Sequence, residues 1–148
     1  MKIDYTITIH APKEKVFSVF SDLDGLADRI KGIKSIEVLE GNHQMHVGTK
    51  WRETRIMFGK EATEVMWVTE QVQNERYVVE AESHGTHYRS EYVFDEVPNG
   101  TQVAMTFEGT PLSFGAKVMS VMFIFFAGAT KKLLQQDMAD LKEYIEKN

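Results

Sequence analysis

The chain has 148 residues, a formal net charge of -5 at pH 7 and no cysteine. That length suits one domain with a sizeable core, and 43% hydrophobic with 26% charged residues is the balance of a soluble globular protein. Without cysteine there are no disulfides, thiolate nucleophiles or cysteine-ligated zinc, which suits a reducing cytoplasm, and the acidic balance gives no basic footprint for nucleic acid.

The start, Met1-Lys2-Ile3-Asp4-Tyr5, alternates and carries an acid, unlike a signal peptide, so a cytoplasmic location is expected. Alternation over residues 2–10 sets Ile3, Tyr5, Ile7 and Ile9 against polar neighbours and predicts a half-buried strand. Pro12, placed at the first helical position, and Glu14 in the first turn open a short helix with Val16, Phe17, Val19 and Phe20 on its apolar side. Asp22 to Gly25 reads as a break, Leu26 to Ile30 as a second short helix, and Arg29, Lys31 and Lys34 as a solvated loop.

Strands are then predicted near 33–40, 47–58, 61–72, 76–84, 87–97 and 101–110. The turns between them fall at Gly41-Asn42, Gly59-Lys60, Asn74-Glu75, Gly85-Thr86 and Asn99-Gly100, the last read as a type I′ turn. Residues 115–146 form one long helix, roughly 48 Å at about 1.5 Å per residue. Leu134, Met138, Leu141 and Ile145 give it an apolar stripe, and Gly128 marks a bend or a close backbone approach. The apolar stretch Val118 to Ala129 is only about a dozen residues and too short to span a bilayer, so no stable membrane insertion is expected.

Residues opposite each other in a hairpin share a face, so the turns set the inner and outer sides of the sheet. With two-residue loops at the positions above, Phe94 faces Met105, Ala81 faces Ser90, Val68 faces Ala81 and Arg55 faces Glu64. One face then collects Trp51, Met66, Val68, Val79, Tyr88, Tyr92, Phe94, Met105 and Phe107, while Glu80, Glu82, Arg89 and Glu91 take the other, with Val65 and Trp67 as outer-face exceptions. The inner face also receives Glu53, Arg55, Glu64, Glu70, Ser83 and Ser90. Charges on a buried face must be paired or wet, so three acids about one arginine mark the polar end of an apolar cavity. The competing reading sets them at a sheet edge, with Arg55 and Glu64 an ordinary solvated pair.

Motifs along the whole chain carry a family resemblance: Ile7 to Phe17, with its Ala-Pro-x-Glu-x-Val-Phe helix start; Gly48-Thr49-Lys50-Trp51; Val68-Thr69-Glu70; and Tyr92-Val93-Phe94 followed by Asn99-Gly100-Thr101-Gln102-Val103. Together they resemble the START-like superfamily, of the birch-pollen-allergen type, and within it the polyketide cyclase/dehydrase and lipid-transport family. The resemblance implies a single α+β helix-grip domain over 1–148: a seven-stranded antiparallel curved sheet around a long C-terminal helix, with two short helices after the first strand. It also implies a cavity for a small hydrophobic or aromatic molecule, a lipid or polyketide-like compound. It transfers no catalytic residues and calls for no cofactor or metal.

The expected ligand-binding set is Trp51, Met66, Val68, Val79, Tyr88, Tyr92 and Phe107 as walls, Glu53, Arg55, Glu64 and Ser90 as polar groups, and Met119 and Phe123 from the terminal helix. His84 and His87, opposite each other across a hairpin, lack a third metal ligand, and no histidine sits beside an inner serine to build a triad. Binding or transport is the leading reading. The alternative is a cyclase or dehydratase using Glu53 or Glu64 as acid or base, with Arg55 holding an enolate or carboxylate and Tyr88 or Tyr92 donating. A third reading docks Val121, Phe125 and Phe126 on a membrane or a partner, including a homodimer.

Overall fold

The structure, a computed structural model, describes residues 1–57 and 59–148, the side chains of 116 and 118–126 excepted. Its elements run β1 (Lys2–Ile9), α1 (Lys13–Phe20), α2 (Leu23–Arg29), β2 (Ile33–Glu40), β3 (Lys50–Met57), β4 (Lys60–Val72), β5 (Arg76–Ser83), β6 (Thr86–Val97), β7 (Gly100–Pro111) and α3 (Phe114–Lys147). The strands form one antiparallel sheet in the order β1-β7-β6-β5-β4-β3-β2, and α3 packs along it. This is the helix-grip architecture that the family resemblance implies.

The chain between β1 and β2 differs in detail from expectation. Pro12 caps α1 with extended backbone (ψ 148°) instead of opening its first turn. The break before α2 is confined to Ser21 and Asp22, where the Ser21 hydroxyl donates to the Phe17 carbonyl at 2.7 Å, and α2 begins at Leu23. Asp24 and Gly25 are therefore helical. Leu23 and Leu26 are buried, and their burial outweighs the cost of a helical glycine, about 1 kcal/mol. The basic stretch is not simply solvated: the Arg29 guanidinium lies 4.2 Å above the Tyr144 ring, and the Lys31 N–H donates to Asp140 Oδ2 at 3.0 Å.

The hairpins tighten one residue earlier than the turn signals suggest. Met57 pairs with Lys60, Ser83 with Thr86 and Val97 with Gly100. The loops therefore lie between Met57 and Lys60, between Ser83 and Thr86, and between Val97 and Gly100. His84 (φ 51°) and Gly85 (φ 75°) supply the two left-handed residues of the second loop. Asn99 is not left-handed, so the third loop is not type I′. Gly100 (φ 148°) is needed for another reason: a Cβ there would stand 2.2 Å from the Ile9 carbonyl oxygen of β1.

Each early turn moves the pairing by two residues, the period of a strand, so every side chain keeps its face. Trp51 pairs with Met66, Ala81 with Tyr88, Val79 with Ser90 and Tyr92 with Met105. On the outer face Arg89 lies across from Glu80, and His87 across from Glu82. The β4–β5 connection is the exception. It has a three-residue loop, Gln73 to Glu75, and a bulge between Val68 and Glu70 returns the ladder to the common parity. Glu70 thereby moves to the outer face, contrary to expectation, and accepts from Arg76 at 2.9 Å. Val65 and Trp67 are half-buried on that face, as expected.

Inside the sheet, Phe17 and Phe20 of α1 meet Phe94 edge-on, at 5.1 and 5.4 Å between centroids, and Tyr77 of β5 completes the cluster. Met138, Leu141 and Ile145 of α3 are buried against the same core. Gly128 makes no close approach, since an added Cβ would meet no heavy atom within 4 Å among the described residues. The outermost strands are β1 and β2, and the β2 ladder is irregular at Ile33/Ser35 and at Val38/Glu40. No helix of the described residues is long and apolar enough to cross a membrane.

Candidate functional site

Between the sheet and the C-terminal half of α3 lies a cavity of about 450 Å³, within the ordinary range for small-molecule sites. Alternation along β3 to β7 aims Trp51, Met66, Val79, Ala81, Tyr88, Ser90, Tyr92 and Phe107 into it. From the helical side, Leu133, Leu134, Asp137, Met138 and Leu141 close it, spaced at three or four residues as one face of α3 requires. Tyr77 stacks on Tyr92 at 4.9 Å, and Tyr88 on Phe107 at 5.6 Å, so much of the wall is aromatic.

One end is charged. Arg55 Nε donates to Glu53 Oε2 at 3.1 Å, and its terminal nitrogen donates to Asp137 Oδ2 at 2.9 Å. Glu64 lies across β3–β4 from Glu53 and also lines the cavity. Burial opposes the Arg55 charge, but Asp137 and Glu53 more than offset it and hold the guanidinium protonated above its ordinary range. Burial and neighbouring Glu53 push the Glu64 carboxyl up, against Arg55, His84 and a hydrogen bond from Ser83. Burial likewise lifts Asp137 to about 6, with Arg55 pulling it down and Glu53 and Asp140 pushing it up. The Tyr92 hydroxyl is raised by burial and by Asp137 and Glu53, so it stays protonated and available as a donor.

Asp137 sets a pH dependence. Its folded pKa lies above the unfolded value of 3.8, so between the two the folded chain holds a proton that the unfolded chain has lost. The stability from this group is whole below about 4, falls as pH rises towards about 6 and stays lost above it. Asp137→Asn keeps the volume and removes the titration. From pH 4 to pH 7 its stability relative to wild type is expected to improve by roughly 2 kcal/mol in urea unfolding. Parallel pH profiles for the two proteins rule this out.

The structure brings Trp51, Glu53, Arg55, Glu64, Met66, Val79, Tyr88, Ser90, Tyr92 and Phe107 to the cavity wall. Val68 is not among them: at 1% exposure it packs in the core beside the β4 bulge. Met119 and Phe123, and the proposed docking residues Val121, Phe125 and Phe126, have side chains outside the described residues. His84 and His87 do not face each other. His84 occupies the turn, and the His87 ring donates to Glu80 at 2.7 Å and Glu82 at 3.0 Å. Sequence reading missed Asp137 and Tyr77. Asp137 falls three residues after Leu134 and four before Leu141, so an acid interrupting the apolar stripe was the available signal. Tyr77 shares the parity of Val79.

A curved sheet gripping a long helix around an aromatic cavity with one ionised end defines a helix-grip protein. The sequence matches the polyketide cyclase/dehydrase and lipid transport family over residues 1–146, and the chain belongs to that family. No curated protein matches it in sequence. Among solved structures it is similar to the Zhui aromatase/cyclase from Streptomyces sp. R1128, with a TM-score of 0.82 and 15% identity over 99% of this chain and 93% of that one. It is also similar to Ara h 8.0201, with a TM-score of 0.76 and 15% identity over 100% and 99% of the two chains. TTHA0849 from Thermus thermophilus gives 0.73 and 21% identity over 99% and 95%. At these identities the likeness is one of fold.

Proposed function

We propose that the protein binds and carries a small hydrophobic or aromatic molecule in the cavity between the sheet and α3. The observation behind this reading is the cavity itself: about 450 Å³, aromatic and aliphatic on its walls, with its ionised groups gathered at one end. Apolar space of that size forfeits packing contacts with every atom of its lining, and a ligand of matching shape restores them. N-phenyl-1-naphthylamine, an uncharged fluorophore that brightens in apolar surroundings, tests the reading. Wild type is expected to bind it at micromolar concentration. Ser90→Phe, which places a ring in the cavity from the centre of β6, is expected to weaken binding at least tenfold. Equal affinity in the two proteins means that the probe binds elsewhere and removes the basis for the proposal.

A second reading, a cyclase or dehydratase, is favoured by one observation. Asp137, lifted to about 6 next to Arg55, can exchange a proton near neutral pH, and Tyr92 beside it retains its own. On this reading Asp137→Asn slows turnover of a polyketide-like substrate about a hundredfold while the fluorophore affinity changes less than threefold. Turnover that survives the substitution removes Asp137 from any such chemistry.

A further inference from the structure

The charged end of the cavity is out of balance. Glu53, Glu64 and Asp137 all line it, and Arg55 is the one cationic side chain among the described lining residues. Two of the three guanidinium nitrogens are engaged by acids, Nε by Glu53 Oε2 and Nη2 by Asp137 Oδ2. No described residue donates to the remaining oxygens, Glu53 Oε1 and Asp137 Oδ1, although Glu53 is only 7% exposed. Beside them Tyr77, 3% exposed, lines the cavity and stacks on Tyr92, and neither hydroxyl has a hydrogen-bond partner among the described residues.

Each ligand chemistry meets this end differently. An anionic head group adds a further negative charge to three carboxylates, whose one guanidinium is already shared between two of them. A neutral head can donate a hydrogen bond to a free carboxylate oxygen but leaves the excess negative charge uncompensated. A cation supplies both the donor and the missing charge. This differs from the expectation that Arg55 receives an enolate or carboxylate.

We propose that the ligand is an amphipathic amine, its apolar or aromatic body along Met66, Val79 and Phe107 and its protonated amino group against Glu53 and Asp137. The proposal rests on the binding reading above and adds the head group. The upward displacement of the Asp137 and Glu64 carboxyls agrees with it, since acids short of countercharge hold their protons. Asp140, the remaining acid on this side of α3, is already engaged by the Lys31 N–H and by Gln136.

Three probes with one naphthalene body separate the alternatives: naphthylethylamine, naphthylethanol and naphthylacetate, titrated calorimetrically into the whole chain at neutral pH. The amine is expected to bind at least tenfold more tightly than the alcohol, and the acetate more weakly than either. Asp137→Asn is expected to weaken the amine about tenfold and leave the alcohol within threefold. Should that variant fail to fold, the wild-type ranking alone decides. An alcohol within threefold of the amine, or an acetate that binds as tightly as the amine, overturns the amine proposal and leaves the apolar-ligand reading standing. Absence of binding by all three overturns both.

Discussion

Arg55→Met is expected to lower folding stability by about 3–5 kcal/mol at neutral pH, more than any other single polar change at the site. The side chain is 15% exposed, with Glu53 at 9% and Asp137 at 18%. Methionine keeps the apolar stem out to the ε position, so the change chiefly removes the charge and its hydrogen bonds. What remains is Glu53, Asp137 and Glu64 around a site without a cation. The cost is chiefly that of leaving carboxylates desolvated and unpaired, which exceeds the net value of the original ion pairs. Protonation relieves it, so the loss is expected to be smaller near pH 5 than at pH 7.5. Guanidinium chloride unfolding at the two pH values measures both. A loss under 1 kcal/mol, or one independent of pH, means that the cluster is wetter than its geometry implies.

Phe94→Ala is expected to cost a similar amount, about 3–5 kcal/mol, by a different cause. Phe94 has no exposed surface, and its ring is held edge-on by Phe17 and Phe20 and tilted against Tyr77. These neighbours come from α1 and β5, while Phe94 itself stands on β6, so no single element can collapse into the space left by the ring. The loss combines forfeited transfer energy with a cavity that persists, and for a chain of this size it corresponds to a fall in melting temperature on the order of 10 °C. Phe114 is the matched control. It is 83% exposed, and its change to alanine is expected to move stability by less than about 0.5 kcal/mol. A melting temperature for Phe94→Ala within a degree or two of wild type contradicts this account of the core.

The inner face was legible from sequence because its logic tolerates one kind of error. Placing the turns at Gly59-Lys60, Gly85-Thr86 and Asn99-Gly100 is one residue late in each case, and the resulting slip of two residues leaves every side chain on its proper side. Glu53, Arg55 and Tyr92 therefore meet as expected, although their assumed partners differ. Glu70 shows where the method fails. The three-residue loop and the compensating bulge cancel over most of β4 and leave only the segment between them out of phase. Nothing in Val68-Thr69-Glu70 announces a bulge. Asp137 was hidden for another reason: pairing across a sheet is fixed by hairpins, whereas no local rule says which helical residue will lie over which strand. The 82-residue separation between Arg55 and Asp137 is spanned by tertiary packing alone.

The sheet never closes on itself, and so β2 keeps one row of backbone groups without a neighbouring strand. Such a margin can recruit a second chain and seed fibrous growth. Here the margin is broken twice by irregular pairing and carries Lys34, Glu37 and Glu40, whose charges would be stacked against their like in any in-register assembly. The same strand that completes the wall near Arg55 thus makes a poor template, and a pocket built from an open sheet can persist at high concentration without drawing its copies into aggregates.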